Sequence, residues 1–206
     1  MKNRFTLLLL TFLWTLVVSG CDRASDPLKY MQAVEKDGAL NQMLEHEEFL
    51  VSVHYRPHKY MAYRELLKHG VEPDSLDYQL ARVSKDRQVF DKGLYFEVRI
   101  SLINKANIIL YGINDQEAYA RRVDYLNQGV FNDFYLLSSN YTKIKASGHS
   151  FQNTFGAGVN CDIVVVFPIE DLDDVSGFDF VYEDRIFGIN KERLMFHFDV
   201  RQLRKW

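Results

Sequence analysis

Hydrophobic and polar residues alternate most cleanly in "GLYFEVRISLIN", where Leu94, Phe96, Val98, Ile100 and Leu102 fall on one side and Tyr95, Glu97, Arg99 and Ser101 on the other. A period of two over this length predicts a half-buried β-strand. "EFLVSVHY" repeats the pattern, with Phe49, Val51, Val53 and Tyr55 opposite Ser52 and His54. Five more segments read as strands: "DFYLLSS", "YTKIKAS", "DIVVVF", "GFDFVYE" and "LMFHFDV". The unbroken run Ile163 to Phe167 predicts a central strand buried on both faces.

Helical spacing is confined to fewer places. Leu28 to His46 reads as a helix weakened by Gly38, and "HKYMAYRELLKHG" as a short helix stopped at Gly70. "VEPDSLDYQLARVSKDRQ" is a polar connection with some helical character. Asn114 with Glu117 forms a capping-box start for a helix that carries Tyr119, Val123 and Leu126 on one face and ends before Gly129. Seven strands with turn-rich spacers predict a mainly β fold, an immunoglobulin-like antiparallel β-sandwich with N-terminal and inserted helices. The alternative is an α+β sheet covered by helices on one face.

The N-terminus follows a different pattern. Lys2 and Arg4 precede an uncharged, largely apolar run from Phe5 to Val18, and Ser19, Gly20 and Cys21 follow. A membrane-spanning helix needs roughly 20 predominantly apolar residues. This run is shorter and has the layout of an export signal. Val18-Ser19-Gly20-Cys21 resembles the lipobox of bacterial lipoproteins, all four positions matching. The resemblance implies a diacylglycerol thioether on Cys21, removal of residues 1–20, and acylation of the new amino group, with palmitate among the chains. It covers the export segment alone; the domain behind it matches no family we recognise.

On that reading residues 21–27 are the lipidated cysteine and a short tether, and 28–206 form one globular domain. Asp22 to Pro27 spans on the order of 20 Å at full extension, which keeps the domain close to the bilayer. In enteric-type bacteria Asp after the lipidated cysteine signals inner-membrane retention, and Asp22 fits that rule; the host decides whether the rule applies, so inner and outer membrane both stay open.

Loss of the signal removes Lys2 and Arg4 and no acid, so the formal net charge of −3 becomes −5. A mildly acidic surface argues against nucleic acid and against a polybasic contact with anionic lipid. Of the 2 cysteines, Cys21 is committed to lipid, so Cys161 has no intramolecular partner.

Candidate chemistry is sparse. "EHEEFL" begins like the metalloprotease pattern H-E-x-x-H, but Leu50 stands in place of the second ligand. His54 and His58 are four apart with Pro57 between them, which needs a turn to bring both to one metal. His197 alternates outward on the last strand. Glu170, Asp171, Asp173 and Asp174 form the densest acidic patch and are the candidate Ca²⁺ ligands, though Val175 interrupts the EF-hand pattern. "SGHSFQNTFGAGVNC" gathers Gly148, Gly156, Gly158, His149, Ser150 and Cys161, but lacks the strand, the third glycine and the helix of a dinucleotide loop. Cys161 with His149 would suit a thiol hydrolase; Cys161 is also in phase with Ile163, Val165 and Phe167, which points it into the core. Tyr95, Tyr141 and Val181 fall on the outward phase and are candidates for a binding face. "RQLRKW" either touches headgroups or docks as a terminus.

No catalytic constellation or cofactor follows from these residues. The expected function is a membrane-anchored, non-enzymatic envelope module that acts on a protein partner. The alternative is an envelope lipoprotein that binds a small ligand or metal. A hydrolase using Cys161 is the third reading.

Overall fold

The computed structural model describes residues 26–86, 93–152, 158–168, 176–189 and 193–206. Cys21, Gly156, Glu170, Asp171, Asp173 and Asp174 lie outside the described residues. Among the described residues, no helix is long and apolar enough to cross a membrane.

Helix α1, Pro27–Lys36, starts where the Asp26 carboxylate accepts the Leu28 and Lys29 N–H groups, with Pro27 at its first position. It ends ten residues before the expected position, and strand β1, Asn41–His46, follows. Asn41 makes the break: its Nδ2 donates to the Val34 and Asp37 carbonyls at 2.8 and 2.7 Å, satisfying the helix end. β1 is a polar edge strand, and that polarity concealed it from the hydrophobic pattern. Glu47, at φ 54, turns the chain into β2, Phe49–Arg56. "EHEEFL" is therefore a hairpin tip between two strands, and no helix presents His46 and Glu47 on one face.

α2, His58–Lys68, and α3, Leu76–Asp86, precede β3, Gly93–Leu102. α4, Gln116–Gln128, is capped by Asp115, whose carboxylate accepts the Ala118 N–H at 2.7 Å, one residue later than the expected Asn114 cap. The remainder is β4, Phe134–Ser138; β5, Lys143–Lys145; β6, Gly148–Phe151; β7, Cys161–Pro168; β8, Gly177–Tyr182; β9, Leu194–Asp199; and the short α5, Val200–Leu203.

Two antiparallel sheets result, ordered β1-β2-β3-β7-β6 and β5-β4-β8-β9. Among the described residues there are nine strands rather than seven, β1 and β6 being the additions. With helices forming much of the N-terminal half, the fold is mixed α+β, the second of the two expectations. This strand order does not establish an immunoglobulin-like sandwich. β7 lies next to the β6 edge rather than at the centre, and alternates between buried and half-buried residues instead of being buried on both faces.

Phe96 joins the sheets. From β3 its ring lies 5.0 to 6.0 Å from those of Phe180, Phe198 and Phe178 on the other sheet and of Tyr55 and Phe167 on its own. These are the separations at which aromatic pairs attract beyond simple area burial. The C-terminus is docked: Trp206 lies 5.8 Å from the Tyr30 ring, and its indole N–H donates to Asp37 at 3.1 Å. That contact settles "RQLRKW" as an anchored end held against α1.

Candidate functional site

The in-phase half of β3 is spent on the core, so its other half faces outward. Glu97 and Arg99 lie there. Antiparallel register sets His54 beside Glu97 on β2, and Val164 and Asp162 beside Glu97 and Arg99 on β7. β6 adds Ser150 opposite Val164. Helix α2 carries Arg64 and Lys68 to the rim. These residues, with Arg56, Phe151 and Gln152, line a cleft of about 540 Å³ on the outer face of the five-stranded sheet.

The cleft is electrostatically uneven. Arg56 is buried and donates from Nε to Glu97 at 2.6 Å; Arg64 also pairs with Glu97. Arg99 pairs with Asp162 at 2.6 Å. Four cations, Arg56, Arg64, Lys68 and Arg99, thus meet two carboxylates in a protein whose overall charge is negative.

His54 adds no charge. Its Nδ1 lies 2.9 Å from Asn41 Oδ1, and its Nε2 lies 3.0 Å from Ser52 Oγ. Asn41 Oδ1 also accepts Arg56 NH1 at 2.8 Å. The network assigns the proton to Nδ1, leaving Nε2 to accept from the Ser52 hydroxyl. Burial, and next the neighbouring Arg56 and Arg99, push the imidazole pKa down from 6.5 to about 4; Asp162 opposes them. His54 is therefore a neutral structural residue near pH 7.

The other sequence candidates separate. His58 opens α2 and is exposed, and among the described residues no three His, Cys, Asp or Glu side chains gather as a metal site requires. His197 pairs with Asp179 at 2.9 Å on the exposed face of the four-stranded sheet. Tyr141 is 86% exposed at a turn, as expected. Tyr95 and Val181 are not a binding face: both are buried, Tyr95 between Arg56 and Val166 in the register and Val181 between Tyr135 and Met195.

Cys161 is fully buried and stands opposite Ile100 on the inner face. His149 pairs with Val165, four residues along the same strand, which places it about 13 Å away. Its Nε2 lies 3.0 Å from the Leu126 carbonyl, and its ring stacks on Phe131. The two make no nucleophile pair, and burial pushes the thiol pKa well up. A thiol reagent such as Ellman's is expected to leave Cys161 unlabelled in the native protein and to modify it fully in denaturant. Rapid native labelling at pH 8 would contradict its place in the core.

Asp133 is the second buried ionisable group of note, behind a smaller recess lined in part by Tyr135, Lys143, Lys145 and Arg185. Tyr125 donates to its Oδ1 at 2.5 Å, Arg185 approaches to 3.5 Å, and Oδ2 has no hydrogen-bond partner among the described residues. Burial raises its pKa from 3.8 to about 6 against the lowering by Tyr125 and Arg185, with Asp184 adding to the rise.

Asp133 and His54 then act oppositely on stability. The raised Asp133 holds a proton the unfolded chain has lost, so its contribution falls as pH rises from 3.8 through 6. The depressed His54 refuses a proton the unfolded chain takes, so its contribution falls as pH drops from 6.5 through 4. The half-buried His54 contributes less than its shift alone implies because solvent screens it, whereas the shift of the buried Asp133 corresponds to about 3 kcal/mol. In urea titrations, Asp133→Asn should gain stability relative to wild type by about that much between pH 4 and 7, and His54→Gln should gain as pH falls across the same range. Parallel wild-type and variant curves would refute the assignments.

No protein-family model matches the chain, and no curated protein matches it. A crystal structure described as a novel protein of unknown function from Burkholderia pseudomallei is similar over 84% of this chain and 83% of its own, at 9% identity and a TM-score of 0.40. A likeness of that size carries no argument about function.

Proposed function

We propose that the chain is a bacterial envelope lipoprotein, anchored through lipid on Cys21, whose domain acts by binding a small ligand rather than by chemistry. The observation that carries this reading is the cleft of about 540 Å³, built from four strands and one helix with charged groups converging on it. Its volume falls in the range of small-molecule sites. The lipobox pattern supports the anchor. The sealed Cys161 and the distant His149, held at the Leu126 carbonyl, count against the hydrolase.

Incorporation of labelled palmitate into the full chain, lost in Cys21→Ala, is the expected result for the anchor. For the ligand, native mass spectrometry of the full protein extracted from membranes should show a bound small molecule that Ser150→Trp expels, because the indole fills the cleft from an exposed edge-strand position. A bare wild-type protein, or the same adduct on both forms, would remove the reading.

The second reading, docking of an envelope protein, is favoured by β1, an edge strand with Met43 68% exposed. A partner strand adding there would use the unpaired backbone edge. A dominant partner in a cross-linked pull-down, insensitive to Ser150→Trp but lost with Met43→Lys, would favour docking over ligand binding.

A further inference from the structure

We propose that the cleft takes a small organic dianion, such as a dicarboxylate or a phosphomonoester, held between Arg64 and Lys68 of α2 and Arg99 of β3. This deepens the small-ligand reading and rests on it. The charge balance of the walls sets the ligand class. Arg56, Arg64, Lys68 and Arg99 line the cleft with Glu97 and Asp162, an excess of two positive charges among the lining groups, and a dianion matches them; Lys68 also lies 3.9 Å from Glu65 on α2, an exposed pair weak enough for the ammonium to turn to an anion.

The cations differ in what they are free to do. Arg56 has 7% of its side chain exposed and is committed to Glu97, Asn41 and the Tyr60 ring. Arg64 and Arg99 have 37% and 55% of their side chains exposed, and Lys68 has 75%. Among the described residues Arg99 meets Asp162 through Nε, and a guanidinium so engaged still has two terminal nitrogens with which to hold a carboxylate or phosphate. Phe151 and Val164 give the opposite wall an apolar surface suited to a short carbon skeleton.

The charges act on one another across the cleft. Burial lowers the proton affinity of Arg64 and Arg56 most; Arg56 lowers it further at Arg64 and Arg99 at Arg56, each against a larger rise from Tyr60 and, at Arg56, from Glu35. His54 is depressed by Arg56 and Arg99 together. At His54 the two guanidiniums thus outweigh the nearby carboxylate, and in a recess such a field is screened less than on an open surface.

Calorimetric titration of the full chain in non-ionic detergent, at fixed ionic strength, compares succinate, glycerol 3-phosphate and the neutral succinamide. Binding of succinate or glycerol 3-phosphate and not of succinamide is expected, and which of the two binds tells carboxylate from phosphate. Arg64→Gln with Arg99→Gln should weaken it at least tenfold. Asp162→Asn, which removes a competing carboxylate and releases Arg99, should tighten it severalfold. That gain keeps the test decisive if the double variant fails to fold. Equal binding of succinate and succinamide, or an affinity unmoved by all these substitutions, overturns the inference. A neutral or cationic molecule expelled by Ser150→Trp would overturn the anion inference while sustaining the small-ligand reading. No bound molecule of any charge would end both.

Discussion

Phe96→Ala is expected to lower the unfolding free energy by about 3–5 kcal/mol and the melting temperature by on the order of 10 °C. The size follows from where the ring sits. Phe96 is fully buried and is in ring contact with Phe178, Phe180 and Phe198 across the two sheets, besides Tyr55 and Phe167 beside it. Removing it leaves a void whose walls come from two sheets, and neither can close it without moving a strand. Phe96→Leu, which keeps most of the volume, should cost roughly half as much. Urea titration reads both through the midpoint, with the slope unchanged if the denatured state is unaffected. A loss below about 1 kcal/mol for the alanine variant would mean that the sheets are stabilised separately.

The same strand shows what a sequence discloses and what it withholds. The alternation of Leu94, Phe96, Val98, Ile100 and Leu102 places one face of β3 in the core, and that is where those residues are. By the same alternation Glu97 and Arg99 are polar and outward. Alternation says nothing of their neighbours, however. His54, Asp162 and Ser150 come beside them only through strand register, and Arg64 and Lys68 only because α2 lies over the sheet. The cleft is thus assembled from five separate segments, each unremarkable alone, and no spacing motif could announce it.

β1 was hidden for another reason. As an edge strand it buries little, so "NQMLEH" has no strong apolar period, while the helical signal of Leu28 to Lys36 runs straight into it. Tyr95 and Val181 were misplaced because a strand's outward phase was equated with solvent. In this fold Tyr95 lies beneath the α2 side of the sheet, and Val181 is flanked by Tyr135 and Met195. A helix or a large cross-strand neighbour can close either face, and neither is visible in the period of a single strand.

Glu97→Ala should be the most damaging single change at the cleft, costing about 3–5 kcal/mol. Glu97 accepts from two guanidiniums whose situations differ. Arg64 is more than a third exposed and can turn to water when its partner is lost, so an Arg64→Ala variant should cost no more than about 1 kcal/mol. Arg56 cannot: its side chain is 7% exposed, and among the described residues it keeps after Glu97→Ala the Asn41 and Tyr55 oxygens, the Tyr60 ring 5.0 Å away and the Glu35 carboxylate behind that ring's hydroxyl. The cost is therefore that of a buried cation without a directly bonded carboxylate, and most of it should return when the cation is removed too. Thermal and urea unfolding of Glu97→Ala, Arg56→Met and the double variant close a double-mutant cycle. The expected result is two costly single changes and a double variant within about 1–2 kcal/mol of wild type. Additive losses would mean that Arg56 is stabilised by something other than Glu97, and that the charge separation within the cleft is not what holds its floor in place.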